Sequence, residues 1–387
     1  MNIPAEFDDI RPYIPEELPG VFDELEQDEH FKSVVAQVMP GIPFAAIMQK
    51  ARACHSLLDF QKAFSYDLMQ MLMTRFTDGT DMDINDLDKT KNYTFISNHR
   101  DIVLDSAFLS KLLLDNGFTN TVEIAIGDNL LSLPWVKKLV RLNKAFKVKR
   151  SVHGREKLLA SMQLGRYIHF AVKEKKENIW IAQRQGRAKT SDDRTQESVL
   201  KMMAFGGEGS IKERLKEINI VPLSISYEFD PCDFLKAREL QEKRSNPDFK
   251  KRENEDNISM QTGIMGYKGH VHYQACACIN HWLDEQPDDL PKNDLIALVA
   301  RHIDHEIHSH YRLYANNYIA YDRLNQTERF TQLYTPEEEK RFNDYLRGQI
   351  AKIDLPQPDH DFLTRSILEM YANPLLNYLK AAEINEQ

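Results

Sequence analysis

The residues best suited to chemistry sit together in 97-SNHRDIVLDSAFL-109, just after the short β-type run 93-YTFIS-97. An imidazole titrates near neutrality and can take a proton from a hydroxyl, while a neighbouring carboxylate fixes its tautomer and stabilises the imidazolium. His99 offers the imidazole; Asp101 and Asp105 both offer a carboxylate. Helical spacing of about 100° per residue keeps Asp105 off the His99 face if both are helical, so His99 belongs to the loop before the helix. Asp101 also suits the N-cap of the helix that follows, and Asp105 suits its first turn, beside the positive end of the dipole. Spacing leaves open which carboxylate partners His99. No GxSxG or other Ser or Cys nucleophile motif is present.

The elements that position this loop form an alternating series. β-rich runs at 93–97, 122–126, 145–149, 179–183 and 219–227 are separated by helical patterns at 102–115, 133–142, 155–176 and about 196–217. Such alternation predicts an α/β layer with a mostly parallel, mixed sheet flanked by helices. A further strand is expected at 270–278, with Cys276 and Cys278 on one face as buried apolar residues. An N-terminal helical region spans 1–90, with an amphipathic stretch at 58–77; the catalytic α/β domain spans 91–285 and a C-terminal helical extension 286–387. Segment 233–262 is charged and reads as loop-rich.

The net charge of −9 over 387 residues is unevenly distributed. Residues 137–189 hold 16 Lys/Arg against three acids, a net of +13, leaving −22 for the rest; the first 30 residues carry ten acids against Arg11. A concentrated basic segment in an acidic chain predicts a nearby anion: a phosphate, an anionic membrane surface or nucleic acid. That segment carries no aromatic RNA-binding signature, so nucleic acid is not expected. The four cysteines show no CxxC spacing and read as reduced thiols. Four histidines in 302-HIDHEIHSHYRLY-314 have no matching cysteine or carboxylate cluster and read as core or surface residues, with no metal expected. No apolar run reaches 18 residues, MNIPAEFDDIRPY lacks the regions of a signal peptide, and 39-MPGIPFAAIM-48 is too short to span a bilayer, fitting the core or an interface instead.

Four blocks in order carry a resemblance: 97-SNHRDIVLD-105, 127-GDNLLSLPWVKKLVRLNKAFKVKR-150, 180-WIAQRQGRAKT-190 and the Val-Pro pair of 220-IVPLSISY-227. Together they resemble the signatures of the glycerolipid acyltransferases, the glycerol-3-phosphate and 1-acylglycerol-3-phosphate acyltransferase superfamily, over about a third of the chain. The family pattern has His, four residues, then Asp. Here position 104 is Leu and the Asp follows at 105, and Arg184 stands where the third block usually has Glu. The resemblance implies transfer of a fatty acyl group from a thioester, acyl-CoA or acyl carrier protein, to a hydroxyl of glycerol-3-phosphate or a lysophospholipid in phospholipid biosynthesis. The altered blocks leave room for another acceptor, such as an aminolipid hydroxyl, or for a non-catalytic phosphate- or nucleic-acid-binding relative. It implies His99 as base, with Asp105 or Asp101 behind it, and acceptor binding by Asn129, Arg150, Gly186, Arg187 and Lys189, with no cofactor beyond the thioester co-substrate. A chain without a spanning helix is then expected in the cytoplasm, peripheral at the inner face of the membrane.

Overall fold

The computed structural model describes residues 3–84, 87–131, 133–246, 248–252 and 254–385. Seven strands form one sheet: β1 (Gly79–Ile84), β2 (Thr94–Ser97), β3 (Val122–Gly127), β4 (Ala145–Val148), β5 (Asn178–Ala182), β6 (Ile220–Tyr227) and β7 (His270–Ala275). Their order is β1-β7-β6-β2-β5-β3-β4, with every pairing parallel except β6 with β7. The α/β class with a mostly parallel mixed sheet is therefore present. Both faces are covered, as parallel sheets require. On one face Ile96, Ile179 and Ile220 pack with the helices Gly154–Lys173 and Lys292–Ser309; on the other Phe95, Val221 and Leu223 pack with Leu104–Asp115 and Tyr66–Phe76.

The buried edge β4 is closed by the N-terminal segment. The Lys147 amide donates to the Ile10 carbonyl at 2.8 Å, and Phe7 and Ile10 are buried in the first core. That segment also carries the acids that answer the basic stretch: Glu6 pairs with Arg166 and Asp9 with Lys149, both at 2.6 Å, and Glu24 pairs with Lys138 at 3.0 Å. Three charges of the local +13 are thus answered by the N-terminal segment. Helices from Leu18 to Phe60 form a separate apolar cluster that takes in Leu142. The apolar piece at 39–48 divides here: Met48 is buried in that cluster, whereas Ile42 is exposed.

Five expectations are corrected, the first being that Cys276 and Cys278 share a face of a strand at 270–278: β7 ends at Ala275, and Cys276 contacts Glu306 while Cys278 packs on the opposite core. β1 lies in a stretch, 77-TDGTDMDIND-86, that reads as a polar break; its only buried residue is Met82, so no alternation betrays it. The pattern at 58–77 is not one regular helix, because Gln61–Ser65 adopts a π-helical turn. The pattern at 196–217 breaks into Glu197–Met203 and Ile211–Glu217, where Gly207 and Gly209 take positive φ. Segment 233–262 is largely helical, as Asp233–Ser245 and Glu255–Met265. The first of these two helices turns Asp233, Lys236, Glu239 and Gln241 inward, so its buried face is polar and carries no hydrophobic period.

If the N-terminal segment is part of the core, Phe7→Ala should cost about 3–5 kcal/mol, the usual penalty for truncating a buried aromatic. Denaturant unfolding measures it, and a loss below about 1 kcal/mol would mean that the segment is a dispensable tail.

Candidate active site

β2 delivers the chain to the site. Asn98 locks its end to β6 through a pair of 2.8 Å bonds, its amide donating to the Ile225 carbonyl and its oxygen accepting from the Ile225 amide. The next residue, His99, sits in the loop and places Nδ1 2.8 Å from Asp105 Oδ2. The same oxygen accepts the backbone N–H groups of Arg100 at 2.7 Å and Asp101 at 3.0 Å. Asp105 is fully buried, and hydrogen bonding is what makes a buried carboxylate tolerable. With Nδ1 committed to the carboxylate, Nε2 is the nitrogen left for proton transfer. The edge of Trp180 flanks the imidazole at 5.5 Å between ring centres, and its indole N–H donates to Ser97 Oγ at 3.0 Å.

Asp101 does a different job. Its Oδ1 accepts the amides of Val103 and Leu104, both at 2.8 Å, which starts the helix Leu104–Asp115. Burial and the nearby Asp105 push the Asp101 carboxyl up from its ordinary value. Helix Glu255–Met265 closes over it at Gly263, where a Cβ would lie 1.9 Å from Asp101 Oδ2. Beside it, Arg187 is buried. Burial opposes its charge, but Cys232, Asp101 and Asp230 outweigh that and raise its pKa. The buried Nη1 of Arg187 has no hydrogen-bond partner among the described residues, and neither does the Nε of Arg184. Both arginines also line the same cavity as His99, which brings these unpaired donors close to any anion that enters it.

A cavity of about 1140 Å³ joins these groups. It is lined by His99, Asn129, Arg150, Gly186, Arg187 and Lys189, so every residue proposed for binding faces the same space as the imidazole. The backbone explains the convergence. Arg150, just past β4, lays its guanidinium across Gly127, where a Cβ would meet Nε at 2.7 Å; its amide donates to Asp128 Oδ1 at 3.0 Å. Burial lowers the pKa of Arg150. Gly186 turns the loop after β5 with φ +74° and so carries Arg187 back toward the sheet. That loop is braced by the buried pair Arg100–Asp193 at 2.8 Å, with the Tyr311 hydroxyl donating to Asp193 at 2.7 Å. Lys189 is tied to Glu239 at 2.7 Å, and Asn129 lies 3.5 Å from Asp256.

The remaining walls divide by chemistry. Cations Lys149, Arg150, Arg184, Arg187 and Lys251 belong to loops beyond the C-terminal strand ends or to the segment after helix Asp233–Ser245. Ala107, Leu114, Ile124, Val136, Leu139 and Val140 form an apolar arm, and Gln61, Ser65, Thr121 and Asn143 lie where β3 and β4 begin. Those four polar groups bond to one another: Thr121 donates to Gln61 Oε1 at 2.6 Å and Gln61 to the Asn143 carbonyl at 3.3 Å. The cavity therefore runs the length of β3, about 17 Å at roughly 3.3 Å per residue. Sequence reasoning missed Lys251, Asp256 and Met260 because their segment reads as loop, and missed the arm because its residues look like ordinary core.

Residues 81–226 match the family model described as Acyltransferase. Among solved structures the chain is similar to the 1-acyl-sn-glycerophosphate (LPA) acyltransferase PlsC from Thermotoga maritima, at 13% identity and TM-score 0.36, over 75% of this chain and 95% of that one. No curated relative matches the sequence.

Two outcomes are expected. Asp105→Asn should cut the rate of any reaction using His99 as base by about 10²–10⁴-fold, whereas Asp101→Asn, which keeps an N-capping side chain, should cost less than about tenfold. A larger loss for Asp101→Asn at unchanged stability would reverse the assignment. Burial pushes Lys189 down to about 8 against the pull of Glu239, so its charge is present below that pH and lost above it. Sulfate affinity, measured by calorimetry at about pH 7 and about pH 9, should therefore fall with rising pH, and Lys189→Arg should flatten the dependence. Equal affinities at both pH values in the unsubstituted protein would remove Lys189 from the anion site.

Proposed function

We propose that the protein is an O-acyltransferase that moves a fatty acyl group from a thioester, acyl-CoA or acyl carrier protein, to the hydroxyl of a phosphorylated glycerol or lysolipid. The observation that carries this reading is the joining, in one cavity, of a carboxylate-held imidazole, an apolar arm about as long as a strand, and a buried guanidinium with an unused N–H. The acyl chain fits the arm, the acceptor's phosphate fits Arg187, Arg150 and Lys189, and the reacting hydroxyl falls between them at His99. The match of residues 81–226 to the acyltransferase family supports the same reaction class.

In this reading His99 Nε2 takes the proton of the acceptor hydroxyl as its oxygen attacks the thioester carbonyl. A C–O bond forms, and the tetrahedral intermediate collapses with cleavage of the C–S bond. The departing thiolate recovers the proton from the imidazolium, which Asp105 has stabilised meanwhile. No acyl-enzyme is required. Arg184, in place of the usual Glu, adds a cation to the phosphate end. Among the described residues no helix is long and apolar enough to cross a membrane. We further propose that a lipid-bound acceptor is met from the surface, with the protein peripheral at the cytoplasmic face.

The test is steady-state transfer from a labelled acyl thioester to paired acceptors with and without a phosphate. Arg187→Ala should raise KM for the phosphorylated acceptor by about 10- to 150-fold, the value of a charge-assisted contact worth roughly 1.5–3 kcal/mol, and leave the uncharged acceptor nearly untouched. Equal losses on both would mean that Arg187 holds the fold or the donor, and absence of transfer to every hydroxyl acceptor would refute the reading.

A further inference from the structure

Behind the sheet, away from the cavity, the fold assembles a set of side chains that the sequence keeps far apart. Cys276 follows the end of β7, where its amide donates to the Pro222 carbonyl at 2.9 Å. Glu306 lies in the last turn of helix Lys292–Ser309, and His310 directly after it. The thiol sulfur, a carboxylate oxygen and an imidazole nitrogen of these three residues all lie within 4.8 Å of one another. Cys276 is buried, whereas the side chains of Glu306 and His310 are 21% and 34% exposed, which opens the cluster on one side.

The internal bonding of the cluster is slack. His310 Nδ1 bonds the Glu306 carbonyl at 2.8 Å but stays 4.0 Å from its carboxylate. Among the described residues the Cys276 sulfur makes long contacts, 3.7 Å to the Glu306 carbonyl and 3.9 Å to that of Gln274. Two other histidines of the run are engaged elsewhere, while His305 Nδ1 is buried with no hydrogen-bond partner among the described residues. His302 stacks on Trp282 at 3.8 Å, His308 bonds the Asp193 carbonyl at 2.8 Å, and His305 lies on the helix between them.

We propose that Cys276, Glu306 and His310 form a binding site for a thiophilic divalent cation of the zinc class, with water in the fourth position. Thiolate, imidazole and carboxylate are a complete three-ligand set for zinc, and bonds of about 2.0–2.3 Å to a tetrahedral ion put neighbouring ligand atoms about 3.3–3.8 Å apart. The present spacing, up to 4.8 Å, has to contract to that range when the ion binds. Binding exchanges the thiol proton for the metal–sulfur bond and releases it to solvent. The ion would pin the end of helix Lys292–Ser309 to the sheet. From that helix end His308 and Tyr311 hold Asp193, which pairs with Arg100 beside His99. Its role is thus structural, and no step of the acyl transfer passes through it.

The test is titration of the purified, metal-free full chain with Co²⁺, followed by Zn²⁺ competition. One equivalent of Co²⁺ should produce a thiolate-to-cobalt charge-transfer band that Zn²⁺ abolishes. Cys276→Ser should eliminate the band, His310→Gln, at a partly exposed position that spares the fold, should weaken binding by at least about tenfold, and Cys278→Ser should leave both unchanged. No band at excess Co²⁺, or a band that survives unaltered in Cys276→Ser or His310→Gln, would overturn the assignment.

Discussion

One carboxylate oxygen organises the centre of this molecule. Asp105 Oδ2 accepts His99 Nδ1 and the amides of Arg100 and Asp101 at once, at 2.7–3.0 Å. Three donors on one buried oxygen fix the loop between β2 and the helix Leu104–Asp115 as tightly as a short loop can be fixed. The imidazole is then held by the same contact that holds the backbone. Asp105 itself is anchored because Asp101 starts its helix, and the Tyr273 hydroxyl of β7 donates to its carbonyl at 3.0 Å. On the proposed mechanism, activity and local folding are thereby coupled: a change at Asp105 acts on both.

Charge is sorted with similar economy. The basic stretch 137–189 is not a free cationic face. Three of its outward residues, Lys138, Lys149 and Arg166, are matched by acids of the N-terminal segment, and two inward ones by Glu123 and Glu177: Lys175 pairs with Glu123, and Lys144 with Glu177 at 2.8 Å. What remains near the imidazole is a smaller group whose members are partly desolvated, with Arg150 and Lys189 lowered in pKa by burial. Desolvated cations bind a dianion more strongly than surface ones do, since less water competes. The acidic N-terminus and the anion pocket are two sides of one arrangement.

Much of this is legible in the residues. Strands β2 to β6 announce themselves by β-rich runs between helical periods, and the loop of the candidate site by a His followed by two nearby carboxylates. The register of that loop is not legible, because a one-residue shift in spacing can be absorbed by a turn, and Asp101 and Asp105 satisfy the same sequence rules for a helix start. Helix Asp233–Ser245 escapes because its buried residues are ions paired across the interior, such as Lys236 with Asp230, so hydropathy points the wrong way. β1 escapes because an edge strand with one buried residue has no period. Cys276 escapes because β7 ends one residue before it: Cys276 faces helix Lys292–Ser309, while Cys278 packs on the opposite core, so the two cysteines do not share a strand face.

The central claim is that Asp105 holds the neutral His99 ring with its proton on Nδ1 and its lone pair on Nε2, ready to accept a hydroxyl proton. Nitrogen chemical shifts of the protein labelled with ¹⁵N at histidine read the tautomer directly, with His99→Gln supplying the assignment. The account predicts a protonated Nδ1, a strongly downfield Nδ1 proton and an unprotonated Nε2, all disturbed in Asp105→Asn. A neutral His99 carrying its proton on Nε2, or a spectrum indifferent to Asp105→Asn, would contradict it.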